Sequence, residues 1–232
     1  MPNKYVDFVS DEEFLECVKW VCDAYPKNIS EIDMKKLHKN TIDPIKQIFD
    51  MVTGELSYED WLKKENFRQV DKTVNNRIGE FHQMLLGKID GWSDLGVGDL
   101  TKVDLKKNDN GIFIELKNKE NTVNADSKNK LREKIEAVLE TYPDSIVYWA
   151  YILSSNGDSG EDMWKLKGFE DNVKVRKIWG KQVYQLITGD SDGLEKVWKA
   201  LPIVISDIIK KKVNLPEQDL KILQDFFESA FH

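Results

Sequence analysis

The stretch that decides the fold runs from Asp104 to Lys117 and reads DLKKNDNGIFIELK. Two short runs flank Asn108-Asp109-Asn110-Gly111, a set of residues typical of a tight turn, so the stretch predicts a β-hairpin. Along the second strand, alternation places Phe113, Glu115 and Lys117 on one face. Asp104 lies on the partner strand, where pairing can bring its carboxylate near Glu115. The hairpin therefore predicts two carboxylates beside one ammonium group.

The tripeptide Glu115-Leu116-Lys117 is an acidic residue followed two positions later by a lysine, a pattern that is common by chance in so charged a chain. Its position in the predicted strand is what distinguishes it. Five copies begin at Asp33, Asp104, Glu115, Asp126 and Asp219, and only the copy at Glu115 ends a β-type run. Two carboxylates without a sulfur or histidine ligand suit a hard cation such as Mg²⁺. Lys117 can orient an attacking water or offset charge on a phosphoryl group. The alternative is an exposed ion pair on an edge strand, which stabilises a protein little.

The segments on either side of the hairpin predict an α/β fold. Before it, apolar residues recur at helical spacing in a helix that ends near Gly91; they are Val74, Ile78, Phe81, Leu85 and Ile89. After it, residues 126–140 predict a helix closed by Tyr142-Pro143, with Leu131, Ile135, Val138 and Leu139 inward. The run SIVYWAYIL, residues 145–153, predicts a strand buried on both faces at the centre of a sheet. This order predicts a mixed sheet between helices.

The remaining segments predict further helices and strands around this core. An N-terminal helix has Phe14, Val18 and Val21 on one face, and shorter helical stretches follow near residues 31–38, 43–52 and 57–65. Residues 162–178 predict one or two further strands. The C-terminal third predicts helices punctuated by Gly180, Gly189 and Pro202. We expect a single domain over residues 1–232, with a helical N-terminal part (1–70), a core (about 71–155) and a C-terminal part (156–232).

The composition favours a soluble cytoplasmic protein. Of 232 residues, 41% are hydrophobic, which is enough for a core, and no apolar run reaches the roughly 18 residues of a membrane span. The N-terminus lacks the pattern of a signal peptide. Cys17 and Cys22 have no nearby histidine pair, which favours packed, reduced thiols over a metal site. The net charge of −7 argues against a whole-surface nucleic-acid binder but permits a local basic groove.

The hairpin sequence resembles the signature of the PD-(D/E)xK nucleases, although the proline that names the motif is absent. Its continuation, ELKNKENTVN at residues 115–124, is similar to type II restriction endonucleases of the SinI and AvaII kind, which cut GGWCC or GGNCC sites. The resemblance covers roughly residues 70–210 and includes NNRIGE at 75–80, IWGKQVYQLITG at 178–189, and Leu201-Pro202. It implies a Mg²⁺-dependent endonuclease of double-stranded DNA whose genetic partner is a DNA methyltransferase.

Carried over by position, the resemblance implies that Asp104 and Glu115 hold Mg²⁺ and that Lys117 acts on the attacking water. Glu80 is a further catalytic and metal-binding candidate, because many nucleases of this fold direct a glutamate from the preceding helix at the metal. Its alternative is a solvated residue on a helix face. Asp99 competes with Asp104 as the first carboxylate, and its own alternative is a turn or cap role.

Polar residues directly after the catalytic strand are candidates for contact with DNA phosphates or base edges; they are Asn118, Lys119, Asn121, Thr122 and Asn124. The same residues are compatible with a polar connection that caps the next helix through Asn124 or Asp126. The basic residues of that helix favour a solvated face over phosphate contact; they are Lys128, Lys130, Arg132 and Lys134.

Two other functions stay open at this point. The same fold serves repair, resolvase and modification-dependent nucleases, which would demand branched, damaged or methylated DNA instead of cutting a plasmid into discrete bands. A non-catalytic DNA-binding or scaffold protein would show no magnesium-dependent cleavage. Because a palindromic duplex site has a two-fold axis, we also expect a homodimer in which each subunit cuts one strand.

Overall fold

The computed structural model describes residues 3–26, 41–96, 99, 101, 103–122, 124–212 and 215–232. The helix predicted near residues 31–38 lies outside these ranges. The described residues contain seven α-helices and one six-stranded sheet, which confirms the predicted α/β class. In these same ranges, no helix combines the length and the apolar character needed to cross a membrane.

The chain divides into two compact units. The smaller one is Trp20–Ile78 and contains α2 (Pro44–Thr53) and the first part of α3 (Tyr58–Gly87). The larger one joins Met1–Lys19 to Gly79–His232 and contains the whole sheet. The sequence predicted a single domain over residues 1–232, and this division into compact units does not test that prediction.

The N-terminal helix α1 (Asp11–Cys22) forms where the sequence predicts it. It buries Phe14, Cys17 and Val18, whereas Val21 is half-buried. Cys17 is a buried free thiol and Cys22 is a half-buried one. Burial raises the pKa of the Cys17 thiol to about 12, which keeps this sulfur protonated and unreactive.

Helix α3 is one continuous helix of 30 residues where the sequence predicted a short helix at 57–65 and a separate one after Val74. Residues 66–73 contain neither glycine nor proline, so nothing in them ends the first helix. Of the five apolar residues predicted for its second half, Val74, Phe81 and Leu85 are buried within α3 and Ile78 is half-buried, whereas Ile89 is buried just beyond the end of the helix.

The end of α3 lies at Gly87 and not near Gly91 as predicted. Asp94 packs closely over Gly87: a Cβ atom added there would lie 2.7 Å from the Asp94 backbone nitrogen. Only glycine permits this approach, and the chain leaves the helix immediately after it. Packing against a residue seven positions later decides this boundary, so the helical pattern alone misplaced it.

Six strands form one mixed sheet in the order β1-β2-β3-β4-β6-β5. The strands are β1 (Trp92–Asp94), β2 (Leu105–Lys107), β3 (Ile112–Lys119), β4 (Ile146–Leu153), β5 (Gly160–Met163) and β6 (Val175–Trp179). β4 runs parallel to both β3 and β6, which confirms its predicted place at the centre. β1 was not predicted, because three residues are too few to show alternation.

The predicted hairpin is formed by β2 and β3. They pair antiparallel, with Leu105 opposite Ile114 and Lys106 opposite Phe113. Asn110 in the turn has φ +58°, a left-handed conformation that asparagine adopts more readily than most residues. Phe113 packs into the cluster beneath α4 (Ala125–Thr141), so the face of β3 that carries the odd-numbered residues lies toward that helix.

Helix α4 covers this face with the side that the sequence predicted. Leu131, Ile135 and Val138 are buried, and Leu139 packs at the edge of the same cluster. The cluster also receives Trp149 from the central strand. The helix ends at Thr141 before Tyr142-Pro143, as predicted.

The C-terminal helices are α5 (Lys181–Thr188), α6 (Gly193–Ile209) and α7 (Glu217–Ala230). Gly180 and Gly189 bound α5 as predicted, and Gly189 takes the left-handed conformation of a helix C-terminus. Pro202 was predicted to punctuate a helix but lies inside α6. Val197 and Val204 are buried on either side of it, and this packing maintains the helix despite one missing hydrogen bond.

Candidate active site

Asp104 lies immediately before β2 and is fixed by the backbone of β3. Its backbone N–H donates to the Ile114 carbonyl at 3.0 Å, which extends the hairpin pairing by one step. Its carboxylate accepts a hydrogen bond of 2.7 Å from the Leu116 N–H. Because β3 holds both its backbone and its side chain, the direction of this carboxylate is set by the hairpin.

Glu115 and Lys117 follow one another on the same face of β3. The Lys117 ammonium donates to Oε1 of Glu115 at 2.7 Å and lies 3.8 Å from Oδ2 of Asp104. One ammonium group therefore contacts both carboxylates, which converge on a single point at the hairpin. This juxtaposition is the one that the sequence predicted.

A fourth charged group, Lys134 of α4, also belongs to this site. Its ammonium donates to Oε2 of Glu115, the oxygen that Lys117 leaves free. The sequence predicted a solvated helix face for this residue, and that prediction was wrong. A lysine one position before the inward Ile135 gave no sequence signal, since only the packing of α4 over β3 brings it to Glu115.

Burial sets the electrostatics of the two carboxylates. Glu115 retains only 7% of its side-chain exposure and Asp104 retains 22%. Burial, followed by repulsion from Glu115, raises the pKa of Asp104 to about 6, against the opposing effect of Lys117. For Lys117, burial lowers the pKa, but attraction to Glu115 and Asp104 outweighs it, so the pKa lies above its usual value. The site thus holds two carboxylates close together in a poorly hydrated environment, where a bound cation would favour their ionised forms.

Asp99 has the turn role that the sequence analysis named as the alternative to metal binding. Its carboxylate accepts a hydrogen bond of 2.8 Å from the Thr101 N–H and a second one from the Thr101 hydroxyl. These bonds close a local turn two residues long. The contacts with Leu116 and Lys117 belong to Asp104, so the geometry favours Asp104 as the first carboxylate.

Glu80 is not brought into a joint cluster with the other two acids. It is exposed on α3, in the turn where Gly79 passes so close to β3 that an added Cβ atom would lie 3.7 Å from that of Asn118. Alternation directs Asn118 to the face of β3 opposite Glu115 and Lys117. In the described part of the chain, no three acidic, histidine or cysteine side chains gather closely enough to hold a metal. A metal role for Glu80 stays a prediction from the sequence.

The predicted DNA-contacting residues lie at the end of β3, which includes Asn118 and Lys119, and in the connection to α4. Lys119, Asn121, Thr122 and Asn124 are exposed, and Asn118 is half-buried. The Asn124 side chain caps α4 by accepting a hydrogen bond of 2.9 Å from the Ser127 N–H, and the Thr122 hydroxyl donates to the Lys119 carbonyl. Asn124 thus has the capping role named as its alternative. Contact of these five residues with DNA stays a prediction.

Arg132 departs furthest from the solvated helix face expected of α4. Its side chain is fully buried and donates to Glu136 at 2.9 Å and to the carbonyl groups of Trp164 and Glu170. These bonds tie α4 to the segment between β5 and β6. Arg132 is therefore a structural residue and not a phosphate ligand.

The donor set fits a hard divalent cation. Asp104 and Glu115 provide carboxylate oxygens, and their nearest charged neighbours are the ammonium groups of Lys117 and Lys134. Mg²⁺ is commonly held by one or two carboxylates, with water and substrate phosphates completing its octahedron. Two converging carboxylates meet this requirement without a third protein ligand.

An acid before β2, a Glu-x-Lys motif on β3, a helix over that face and a parallel central strand are the arrangement of the PD-(D/E)xK nucleases. Within this class, residues 6–210 match the model of the Eco47II restriction endonuclease family. The chain is 35% identical to the type II restriction enzyme Sau96I of Staphylococcus aureus, over 99% of this chain and 91% of that enzyme. It is 30% identical to Eco47II of Escherichia coli, over 92% and 94% of the two chains. The chain belongs to the Eco47II restriction endonuclease family.

Proposed function

We propose that this restriction endonuclease hydrolyses both strands of double-stranded DNA at a specific sequence, with Mg²⁺ held by Asp104 and Glu115. The observation that carries the proposal is the convergence of a buried and a half-buried carboxylate, Glu115 and Asp104, on the Lys117 ammonium at 2.7 and 3.8 Å. Holding two like charges this close costs free energy, which favours a ligand-binding role over a purely structural one.

Each side chain of the site has a role that follows from its position. The Leu116 N–H holds Asp104, and β3 holds Glu115, so both carboxylates are oriented before a ligand arrives. Lys117, charged at neutral pH, is placed to orient the attacking water and to offset negative charge that develops on the phosphoryl oxygens. When bound, Mg²⁺ supplies Lewis-acid polarisation of the phosphate and lowers the pKa of water.

The end of β3 and the connection that follows it are the proposed site of DNA contact. Lys119, Asn121 and Thr122 come within five residues of Lys117, so a phosphodiester at the carboxylates would bring neighbouring nucleotides to them. Asn118 is also a candidate, but it lies on the opposite face of β3 and would need the DNA to wrap around the end of the strand. Asn124 combines this candidate role with its cap of α4. We place the enzyme in the cytoplasm, where its DNA substrate lies, with a DNA methyltransferase as its genetic partner.

Digestion of a plasmid of known sequence tests the proposed function. With Mg²⁺ present, we expect discrete fragments whose mapped ends share one short sequence, because a restriction endonuclease reads base edges as well as the backbone. A nuclease of the repair or resolvase kind would leave the unmodified plasmid uncut and cut branched or damaged DNA. Random fragments or no cleavage would contradict the proposal.

We further propose that the active enzyme is a homodimer. A palindromic or pseudo-palindromic site has a two-fold axis, and two identical subunits match it with one active site per strand. We expect analytical ultracentrifugation to give twice the chain mass of 27.0 kDa, either free or on DNA. A protein that stays monomeric at working concentration and on DNA, yet cuts both strands at one site, would contradict this expectation.

A further inference from the structure

Both oxygens of the Glu115 carboxylate are bound by ammonium groups. Lys117 donates to Oε1 at 2.7 Å, and Lys134 donates to Oε2. The Glu115 side chain is 7% exposed, so these contacts are made in a poorly hydrated environment. Any cation that binds Glu115 must compete with at least one of these ammonium groups.

The two lysines differ in where they originate. Lys117 comes from the same strand as Glu115 and also approaches Asp104 at 3.8 Å. Lys134 reaches Glu115 from α4, across the space between the helix and the sheet, and its side chain is 24% exposed. A lysine stem with a solvent-facing side can withdraw its ammonium group from Glu115 without disturbing the hairpin.

The formal charges of the site balance only when Lys134 is included. Asp104 and Glu115 contribute two negative charges, and Lys117 with Lys134 contributes two positive charges. A neutral residue in place of Lys134 would leave a net negative charge beside the two proposed metal ligands. Coulomb attraction for a divalent cation would then increase.

We propose that Lys134 is a positioning residue that occupies Oε2 of Glu115 until metal and DNA arrive together, and that it then transfers its ammonium group to a DNA phosphate. The inference rests on the proposed metal-binding role of Asp104 and Glu115. In this arrangement Lys134 opposes metal binding in the absence of DNA. When DNA is bound, a nearby phosphate can accept the ammonium group of Lys134 that the metal displaces from Glu115. DNA therefore raises the affinity of the Asp104–Glu115 site for metal.

The direct test is calorimetric titration of the DNA-free protein with Ca²⁺ and with Mn²⁺. Lys134→Gln is expected to bind both ions on the order of tenfold more tightly than wild type, because one competing charge has gone. Lys130→Gln is the matched control, since it removes one positive charge from an exposed position one turn away on the same helix. We expect the control to match wild type within about twofold, as surface charges are screened.

The second measurement repeats the Ca²⁺ titration with a duplex that carries the mapped cleavage site. Wild type is expected to gain more metal affinity from DNA than Lys134→Gln does, because the variant has no ammonium to release. Circular dichroism establishes that each variant is folded, and Lys134→Met, which retains most of the unbranched stem, replaces the glutamine variant if the latter does not fold.

The outcomes separate this inference from the proposed metal site. If neither wild type nor Lys134→Gln binds Ca²⁺ or Mn²⁺, with or without the duplex, or if Glu115→Gln binds as tightly as wild type, the metal site and the inference both fail. If Glu115→Gln loses metal binding but the Lys134 variants bind no more tightly than wild type, only the role of Lys134 is overturned. If Lys130→Gln gains as much metal affinity as Lys134→Gln does, the gain comes from the lower net charge of the protein, and the proposed role of Lys134 is also overturned.

Discussion

Removal of divalent cations is expected to abolish DNA cleavage, with a loss of at least about four orders of magnitude in rate. The two carboxylates are engaged by the ammonium groups of Lys117 and Lys134, and in the proposed mechanism the metal ion, not a side chain, activates the attacking water. Excess chelator in a single-turnover assay on the mapped duplex measures the loss. Added Mg²⁺ or Mn²⁺ should restore the rate in full.

Calcium provides the control for this experiment. Its larger radius and flexible coordination suit binding to carboxylates, whereas hydrolysis depends on the tighter octahedral geometry of Mg²⁺. We expect Ca²⁺ to support DNA binding, measured by fluorescence anisotropy, with little turnover. Undiminished cutting in excess chelator would exclude the proposed chemistry and would require a nucleophile from the protein.

The hairpin and the central strand were predictable because their signals are local. Asn108 to Gly111 combine residues that favour a turn, and a period of two along β3 determines which side chains share a face. The apolar run from Ile146 to Leu153 is compatible with burial on both faces, so it indicates the middle of the sheet. The juxtaposition of Glu115 and Lys117 therefore followed from the sequence.

The features that were not predictable depend on contacts between distant segments. Lys134 has the same local surroundings as an exposed helical lysine, and its role appears only when α4 lies over Glu115. Arg132 looks equally polar, yet it is buried and bonded to carbonyl groups more than 30 residues away. Pro202 continues a helix because neighbouring residues are packed. The raised pKa of Asp104 likewise depends on burial, which no single segment determines.

The Asp104→Asn variant is expected to lose cleavage activity by about three orders of magnitude or more while it keeps DNA binding in Ca²⁺. Asparagine preserves the shape and can still accept the Leu116 N–H, but it removes one negative charge from the metal site. Single-turnover cleavage and anisotropy measure the two effects separately.

Misfolding is not expected to explain the loss in Asp104→Asn. Since burial and Glu115 raise the pKa of Asp104 to about 6, its ionised form costs stability above that pH, and this cost disappears below the unfolded pKa near 4. At pH 7 and without metal, the variant should therefore melt no lower than wild type. A lower melting temperature would show that the carboxylate stabilises the fold in a way that this pKa does not reflect.

Asp99→Asn is the matched control, because it makes the same chemical change five residues earlier in the chain. The Asp99 carboxylate accepts hydrogen bonds only from Thr101 among its described contacts, and an asparagine oxygen can accept the same bonds. We expect this variant to cut DNA within a few-fold of the wild-type rate, since its charge does not contribute to the carboxylate pair. An inactive Asp99→Asn together with an active Asp104→Asn would mean that the metal site forms from Asp99, Glu115 and Lys117 in the complex with DNA. The segment before β2 would then have to shift its register against β3 when the enzyme binds its substrate.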